Sequence, residues 1–337
     1  MKPKHLIPIA FLFLLIALPV GLAKQDDPAT ASHYRLSGPY THKNLTVFLI
    51  HGKDQTNKTF LTLQEALAQK KVKVYETKNV NELAISNLSD EDIYVQAGDI
   101  VRGGDQDRMI SVDFIVPPKS GRMPIAAFCV ESGRWNKRGN EGNASFASSE
   151  NLATNELKLA AASEKSQQAV WANVSKVQTG LSQNVGGSVN STVSASSMEL
   201  SMEDPKVKTT SADYHNALSE LLKNRSDVIG YVLAINGKVD SADVYASHAL
   251  FAKLWPKLLK SSVVEAIAEL NGAEHKPVTT ETVQGFLRDS EKATASSKEV
   301  TPRVRMVTRE DDKNFFSETQ DREQKDGWIH RNYMRKQ

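Results

Sequence analysis

Apolar side chains recur along this chain in two rhythms, every second residue in some stretches and every third or fourth in others. Leu45 to His51 is a nearly unbroken apolar run and reads as a strand. Val72, Val74, Leu83, Ile85, Ile93 and Val95 alternate with polar neighbours in three short segments, the pattern of an antiparallel sheet with one wet face. Met109 to Val116 predicts another strand, stopped by Pro117 and Pro118, and Pro124 to Glu131 the next. Val228 to Ile235 and Lys238 to Tyr245 flank Asn236-Gly237, a pair suited to the positive φ at both centres of a tight hairpin turn. Three short strands close the chain, at Val304 to Val307, Asn314 to Thr319 and Trp328 to Met334.

The helical rhythm is confined mostly to the second half. An early exception is Thr62-Leu63-Gln64-Glu65, where Thr62 caps a helix start and Glu65 reaches back to it, with Leu63, Ala66 and Leu67 on one face. Glu156 to Leu181 carries Val170, Trp171, Val174 and Val177 at helical spacing, and Tyr214, Ala217, Leu218 and Leu221 mark another helix. Ser247 caps a helix through Leu254, Pro256 opens a new one running to Asn271-Gly272, and a last one spans about Glu281 to Ser290. The fold class expected is α+β, antiparallel sheets with helices packed mainly from the second half of the chain.

Between these elements lie polar segments that suggest boundaries. Met1 to His5 is a short positive region, Leu6 to Ala23 is free of charge, and Gly21-Leu22-Ala23 is a small-x-small site, the layout of a secretory signal peptide. Residues 1–23 are therefore read as a signal peptide and residues 24–43 as a polar lead-in. Residues 44–272 form the α+β domain, with Ser182 to Ser211, rich in Ser, Asn and Gly, as a mobile loop. Residues 273–337 add a C-terminal helix and β extension. The expected location is outside the cytoplasm, periplasmic or secreted. No later segment approaches ~20 continuous apolar residues, so no membrane association is expected after signal cleavage.

Charge narrows the partners. There are 42 Lys and Arg against 40 Asp and Glu, and removing Lys2 and Lys4 leaves as many acids as bases. Such a balance argues against a nucleic-acid surface. One cysteine, Cys129, excludes an internal disulfide, and Glu131 two residues along the same strand disfavours its thiolate, so it reads as a small buried side chain. The eight histidines show no metal spacing, neither a metal nor a cofactor is implied, and His330 reads as structural. Lys253, Lys257 and Lys260 fall at helical spacing and read as a solvated face.

The densest reactive cluster is Asp99-Ile100-Val101-Arg102-Gly103-Gly104-Asp105-Gln106-Asp107-Arg108. Glycines let a backbone approach a ligand closely, and guanidinium forks suit phosphate or carboxylate. A charged hairpin tip with internal ion pairs is the alternative. Cys129 to Trp135 adds Glu131 and Arg134-Trp135, a pair able to stack on a planar ligand or to pack at a strand end. Arg102, Gly103, Gly104, Gln106, Arg108, Arg134 and Trp135 are thus the candidate ligand-binding residues. Asp99, Asp105 and Glu131 are the candidate acids or bases, should the protein be a hydrolase.

Taken in order with Leu61 to Leu67, Gln168-Ala169-Val170-Trp171, the Gly230 to Tyr245 hairpin and Leu254 to Leu259, these clusters resemble the ARG and rhodanese-phosphatase-superfamily-associated protein domain, ARG standing for ADP-ribosylglycohydrolase. The resemblance covers about Leu45 to Leu270. It departs from the family pattern at the turn, where Asp99 and Asp105-Gln106-Asp107-Arg108 stand in place of an acidic pair and a Lys-Gln-Asn-Arg-like run. It implies no established activity, and the family's company hints at nucleotide- or ADP-ribose-like ligands. The leading expectation is a non-catalytic binding domain for such an anionic small molecule. The alternatives are a hydrolase of phosphate or ADP-ribosyl linkages using paired carboxylates, and a structural exported protein that docks a protein partner through residues 182–211.

Overall fold

A computed structural model describes residues 34–134, 146–324 and 327–336. The segment read as a signal peptide lies outside them, as does Trp135. The first half holds strands β1 (Arg35–His42), β2 (Leu45–His51) and β3 (Leu61–Thr62), helix α1 (Leu63–Ala68), and strands β4 (Val72–Asn79), β5 (Glu82–Asn87), β6 (Ile93–Val95), β7 (Asp99–Arg102), β8 (Arg108–Ile110), β9 (Phe114–Val116), β10 (Met123–Cys129) and β11 (Ala147–Leu152). The second half brings α2 (Asn155–Leu159), α3 (Gln167–Asn184), α4 (Met198–Met202), α5 (Pro205–Leu218), the hairpin β12 (Val228–Ile235) and β13 (Lys238–Tyr245), α6 (His248–Ala268) and α7 (Thr280–Ser290). Strands β14 (Ala295–Glu299), β15 (Val304–Glu310), β16 (Asn314–Asp321) and β17 (Trp328–Arg335) follow.

The fold is α+β, with helices mostly in the second half and sheets that are antiparallel except where β3 runs parallel to β6. An eight-stranded sheet has the order β1-β2-β12-β13-β17-β16-β15-β14, a six-stranded sheet β11-β7-β8-β10-β5-β4, and a three-stranded sheet β3-β6-β9. In the large sheet the two-residue period sorts side chains cleanly. Leu45, Val47, Leu49, Tyr231, Leu233 and Ile235 share one core with Leu254, Leu258 and Val263 of α6. Phe48, Ile50, Val232, Ala234 and Val244 share another with Val283, Phe286 and Leu287 of α7. Both faces of β2 and β12 are covered, which is why these strands read as continuous apolar runs.

Several sequence expectations need correction. The lead-in contains β1, which pairs with β2, and its mostly exposed edge position left no apolar pattern to read. The run Met109 to Val116 is broken at residues 111–113, and its halves β8 and β9 belong to different sheets. Ile93 to Val95 likewise leaves the sheet of β4 and β5. Residues 182–211 are no mobile linker: they contain the end of α3, all of α4 and half of α5, anchored by buried Val189, Met198, Met202 and Val207. Asp204 accepts a hydrogen bond from Lys206 N ahead of Pro205, a capping signal visible in the sequence. The strands β14 to β17 are not an extension but half of the large sheet.

Pro256 sits inside α6 rather than opening a new helix. A proline there removes one amide donor and crowds the preceding turn, costing about 3 kcal/mol. Leu254, Trp255, Leu258 and Leu259 around it are all buried. Each large apolar side chain so buried contributes about 1.5–3 kcal/mol, enough to carry the helix through. Among the described residues, no helix is long and apolar enough to cross a membrane.

Candidate functional site

The turn between β7 and β8 holds most of the residues singled out from the sequence. Gly103 and Gly104 have φ of 116° and 56°, conformations that favour glycine, and a Cβ on Gly104 would lie 2.4 Å from the ring of Phe146. Their carbonyls point at one guanidinium: Arg134 Nη1 donates to Gly104 O at 3.0 Å and Nη2 to Gly103 O at 3.4 Å. The same side chain donates through Nε to Glu131 Oε1 at 2.8 Å. Asp107 accepts from Gly103 N at 3.0 Å, and Glu131 accepts from Asp107 N at 3.2 Å. Burial pushes the Glu131 carboxyl up, but donors from Arg134, Ser194 and Asp107 N hold it below the ordinary glutamate range.

Arg108 is fully buried beneath this turn. It donates to Gln106 Oε1 at 3.0 Å, to Cys129 Sγ at 2.8 Å and to Glu76 Oε2 at 3.4 Å. Burial pushes the Cys129 thiol up to about 11, so it is no nucleophile. Gln167 pairs with both the N–H and the carbonyl of Cys129, and Trp171 Nε1 donates to Glu131 O at 3.1 Å. Gly103, Gly104, Gln106, Arg108, Glu131 and Arg134 are thus brought together, with their polar groups turned onto the protein itself.

The others disperse. Asp99 is buried with Lys257 Nζ 2.5 Å away, which corrects the reading of Lys257 as part of a solvated face. Arg102 meets Glu203 at 2.7 Å, and Asp105 meets Lys78 at 2.7 Å near the surface. The carboxylates proposed for general acid–base work therefore each sit on a cation.

Serines of the segment once read as a loop dock on this turn. Ser197 donates to Asp107 Oδ2 at 3.1 Å, Ser194 donates to Glu131, and Ser196 bonds both the N–H and the carbonyl of Ser132. Glu199 of α4 is buried, accepts from Ser149 at 2.5 Å, and is pushed up to about 7 by burial, with Glu203 and Asp107 adding like charge. Its folded value lies above the ordinary 4.5, so stability falls as pH rises from there through about 7. Amide-exchange protection of residues 194–202, corrected for the intrinsic rate, should drop between about pH 4.5 and pH 7 and level off above that, and Glu199→Gln should flatten that dependence. A profile unchanged by the substitution would exclude Glu199 as the cause.

A second polar cluster was not legible as a site. His330 of β17 is buried, with Nδ1 2.7 Å from Asp113 Oδ2 and Nε2 2.9 Å from Asp243 Oδ1. Its ring stacks on Tyr245 with centroids 4.5 Å apart. Burial pulls the imidazole down, but the two carboxylates outweigh it and raise it to about 9. Both ring nitrogens are engaged, so the histidine has no free lone pair for proton transfer. The adjoining recess holds about 20 Å3, room for roughly one water. This cluster is an internal ion triad, not a ligand pocket.

Space for a ligand lies at the open end of the large sheet. Asn236 and Gly237, with φ of 51° and 72°, form the predicted tight turn of the β12–β13 hairpin. On either side of it lie two depressions of about 590 and 550 Å3. The first is lined by Lys43, Lys276 and His275 with no carboxylate, and the second by Lys238, Arg335 and Lys336 with Asp240 and Glu269. Asn236, Asn271 and His275 line both. Lys43 pairs with Asp213 and Lys336 with Glu310. Lys238, Lys276 and Arg335 have no carboxylate within 4.0 Å among the described residues.

The end of α6 beneath the turn would bring partial negative charge, but its carbonyls are covered. Asn44 Nδ2 donates to Ala266 O at 2.8 Å, Asn184 Nδ2 to Ile267 O at 2.8 Å and Asn236 Nδ2 to Glu269 O at 2.8 Å. Asp240 lies at a β-bulge where Leu233 and Ala234 face Ser241 and Val239, and burial pushes its carboxyl up to about 6. None of these cations stood out in the sequence. They come from the β12–β13 turn, the loop after α6 and the end of β17, far apart along the chain.

Among the described residues no group of His, Cys, Asp and Glu could hold a metal ion. Residues 33–334 match the family model of the ARG and Rhodanese-Phosphatase-superfamily-associated Protein domain. No curated protein and no solved structure matches the chain.

Proposed function

The chain belongs to the ARG and Rhodanese-Phosphatase-superfamily-associated Protein domain family, and on that premise we propose that it is a non-catalytic binding domain for a small anionic ligand. The observation that carries this reading is the set of cations with no carboxylate within 4.0 Å among the described residues, Lys238, Lys276 and Arg335 (the last over the Phe286 ring), around two ligand-sized depressions beside one hairpin turn. An ammonium or guanidinium with no carboxylate partner gains charge-assisted hydrogen bonds from an incoming phosphate or carboxylate without first breaking an ion pair. Arg102, Arg108 and Arg134, the arginines first suspected, already hold protein acceptors and would have to release them. The catalytic alternative draws less support, because Asp99, Asp105 and Glu131 are each held by a cation and Glu131 is kept ionised.

The same reading keeps the domain outside the cytoplasm, on the strength of the Met1 to Ala23 segment. Titration calorimetry with inorganic phosphate tests the site. Wild type should bind it, and Lys238→Ala/Lys276→Ala/Arg335→Ala should lose at least tenfold in affinity while Arg102→Ala changes it little. Equal binding by the triple variant would move the site elsewhere, and loss on Arg102→Ala would return it to the glycine turn.

A further inference from the structure

We infer that the two depressions form one continuous groove that takes an elongated ligand with an anionic group near each end. The inference rests on the anion-binding reading above and adds the shape and valence of the ligand. Its geometric basis is that Asn236, Asn271 and His275 line both depressions, so these are adjoining halves separated by a shared ridge rather than independent sites. Each half has its own cation without a carboxylate partner among the described residues: Lys276 in one, Lys238 and Arg335 in the other.

The ridge is made of two amides and an imidazole and carries no carboxylate, ammonium or guanidinium. Asn236 is held by Asn44 and by Glu269 O, and His275 Nε2 lies 2.8 Å from Asn271 Oδ1. A ligand crossing it would meet amides and an imidazole, suited to a neutral linker between two charged groups. The carboxylates that could oppose an anion, Asp240 and Glu269, both line the same half. Asp240 is buried and raised towards neutrality by that burial, and Glu269 sits at the C-terminal end of α6. Glu274, exposed on the loop between Asn271 and Lys276, lines neither half. One half is thus lined by basic side chains without a carboxylate, although its Lys43 is already held by Asp213, and the other is mixed. A ligand engaging both gains from effective concentration, because its second contact becomes intramolecular and can raise affinity about 100-fold or more without any new type of contact.

The experiment compares inorganic phosphate with linear polyphosphates of increasing length on the full chain, read by calorimetry for affinity and stoichiometry. Phosphate should bind both halves, weakly and independently. A polyphosphate long enough to cross the ridge should bind one per chain, roughly 100-fold more tightly. Lys276→Ala alone and Lys238→Ala/Arg335→Ala alone should each return that probe to about the affinity of phosphate, with thermal unfolding confirming intact folding. Two short-range sites with no gain on lengthening the probe, or a gain that survives either substitution, would overturn the single groove while leaving anion binding in place. Absence of binding by phosphate and polyphosphate alike would instead remove the underlying reading.

Discussion

Replacing His330 by leucine should destabilise the protein by about 3–5 kcal/mol, the usual cost of removing one partner from a buried ion cluster. The substitution leaves Asp113 and Asp243, 4% and 1% exposed, without their shared cation. Thr319, Ala97 N and Asn332 still donate to them and Lys158 still attracts Asp243, but Asp113 is left with neutral donors alone and neither carboxylate keeps the cation that bridged them. At a few degrees per kcal/mol for a chain of this size, thermal unfolding should fall by roughly 10 °C. Combining His330→Leu with Asp113→Asn and Asp243→Asn should recover most of the loss, since the carboxylates rather than the missing ring cause it. The pH dependence follows from the direction of each shift. The imidazole is raised from 6.5 to about 9, so its stabilisation is complete below pH 6.5 and disappears as pH rises through 9. Asp243 is lowered from 3.8 to about 2 by Lys158 and by His330 together, so the stabilisation it gains is present above pH 3.8 and is lost as pH falls through 2. The triad should therefore contribute fully between about pH 4 and 6.5. A loss below about 1 kcal/mol in the leucine variant, at the level of an ordinary surface change, would refute this account.

Arg134→Ala should cost a comparable 3–5 kcal/mol, because Glu131 has no exposure and would keep only neutral donors. Two carbonyls of the glycine turn would lose their donor as well. Adding Glu131→Gln should be partly compensating, and a double-mutant cycle by denaturant unfolding would read that coupling. Phosphate binding at the hairpin depressions should be unaffected in the folded fraction. An alanine variant of normal stability that loses phosphate would reverse the assignment and make Arg134 a ligand contact.

These two residues illustrate what the sequence could and could not reveal. Arg134 and Glu131 were each legible as residues of interest, the first beside Trp135 as a ligand contact and the second as a candidate acid or base. Which way they pointed was not, since their partners Gly103, Gly104 and Ser194 come from other elements. His330 was read as structural, and its two aspartates lie 217 and 87 residues away, beyond any local pattern. The hairpin at Asn236-Gly237 and the capping box at Thr62 and Glu65 were readable because each is fixed by residues in sequence contact. The segment 182–211 was missed because its buried anchors, Val189, Met198, Met202 and Val207, are few and irregularly spaced among serines and amides, which leaves no hydrophobic period. Lys257 was misread for a related reason: spacing places it on a helix face, but only the fold shows that this face meets Asp99.

Asn236 has one more consequence. It precedes a glycine, the setting in which the next backbone nitrogen most readily attacks the asparagine side-chain carbonyl and expels ammonia, and water then opens the resulting succinimide to aspartate or isoaspartate. Here both side-chain atoms are tethered, the oxygen to Asn44 and the nitrogen to Glu269 O, so the cyclisation has to wait for the turn to open. Once it occurs, the new carboxylate faces a carbonyl oxygen and places a negative charge on the ridge between the cationic depressions. Chemical ageing of this one turn would thus loosen the end of α6 and repel an anionic ligand in the same event.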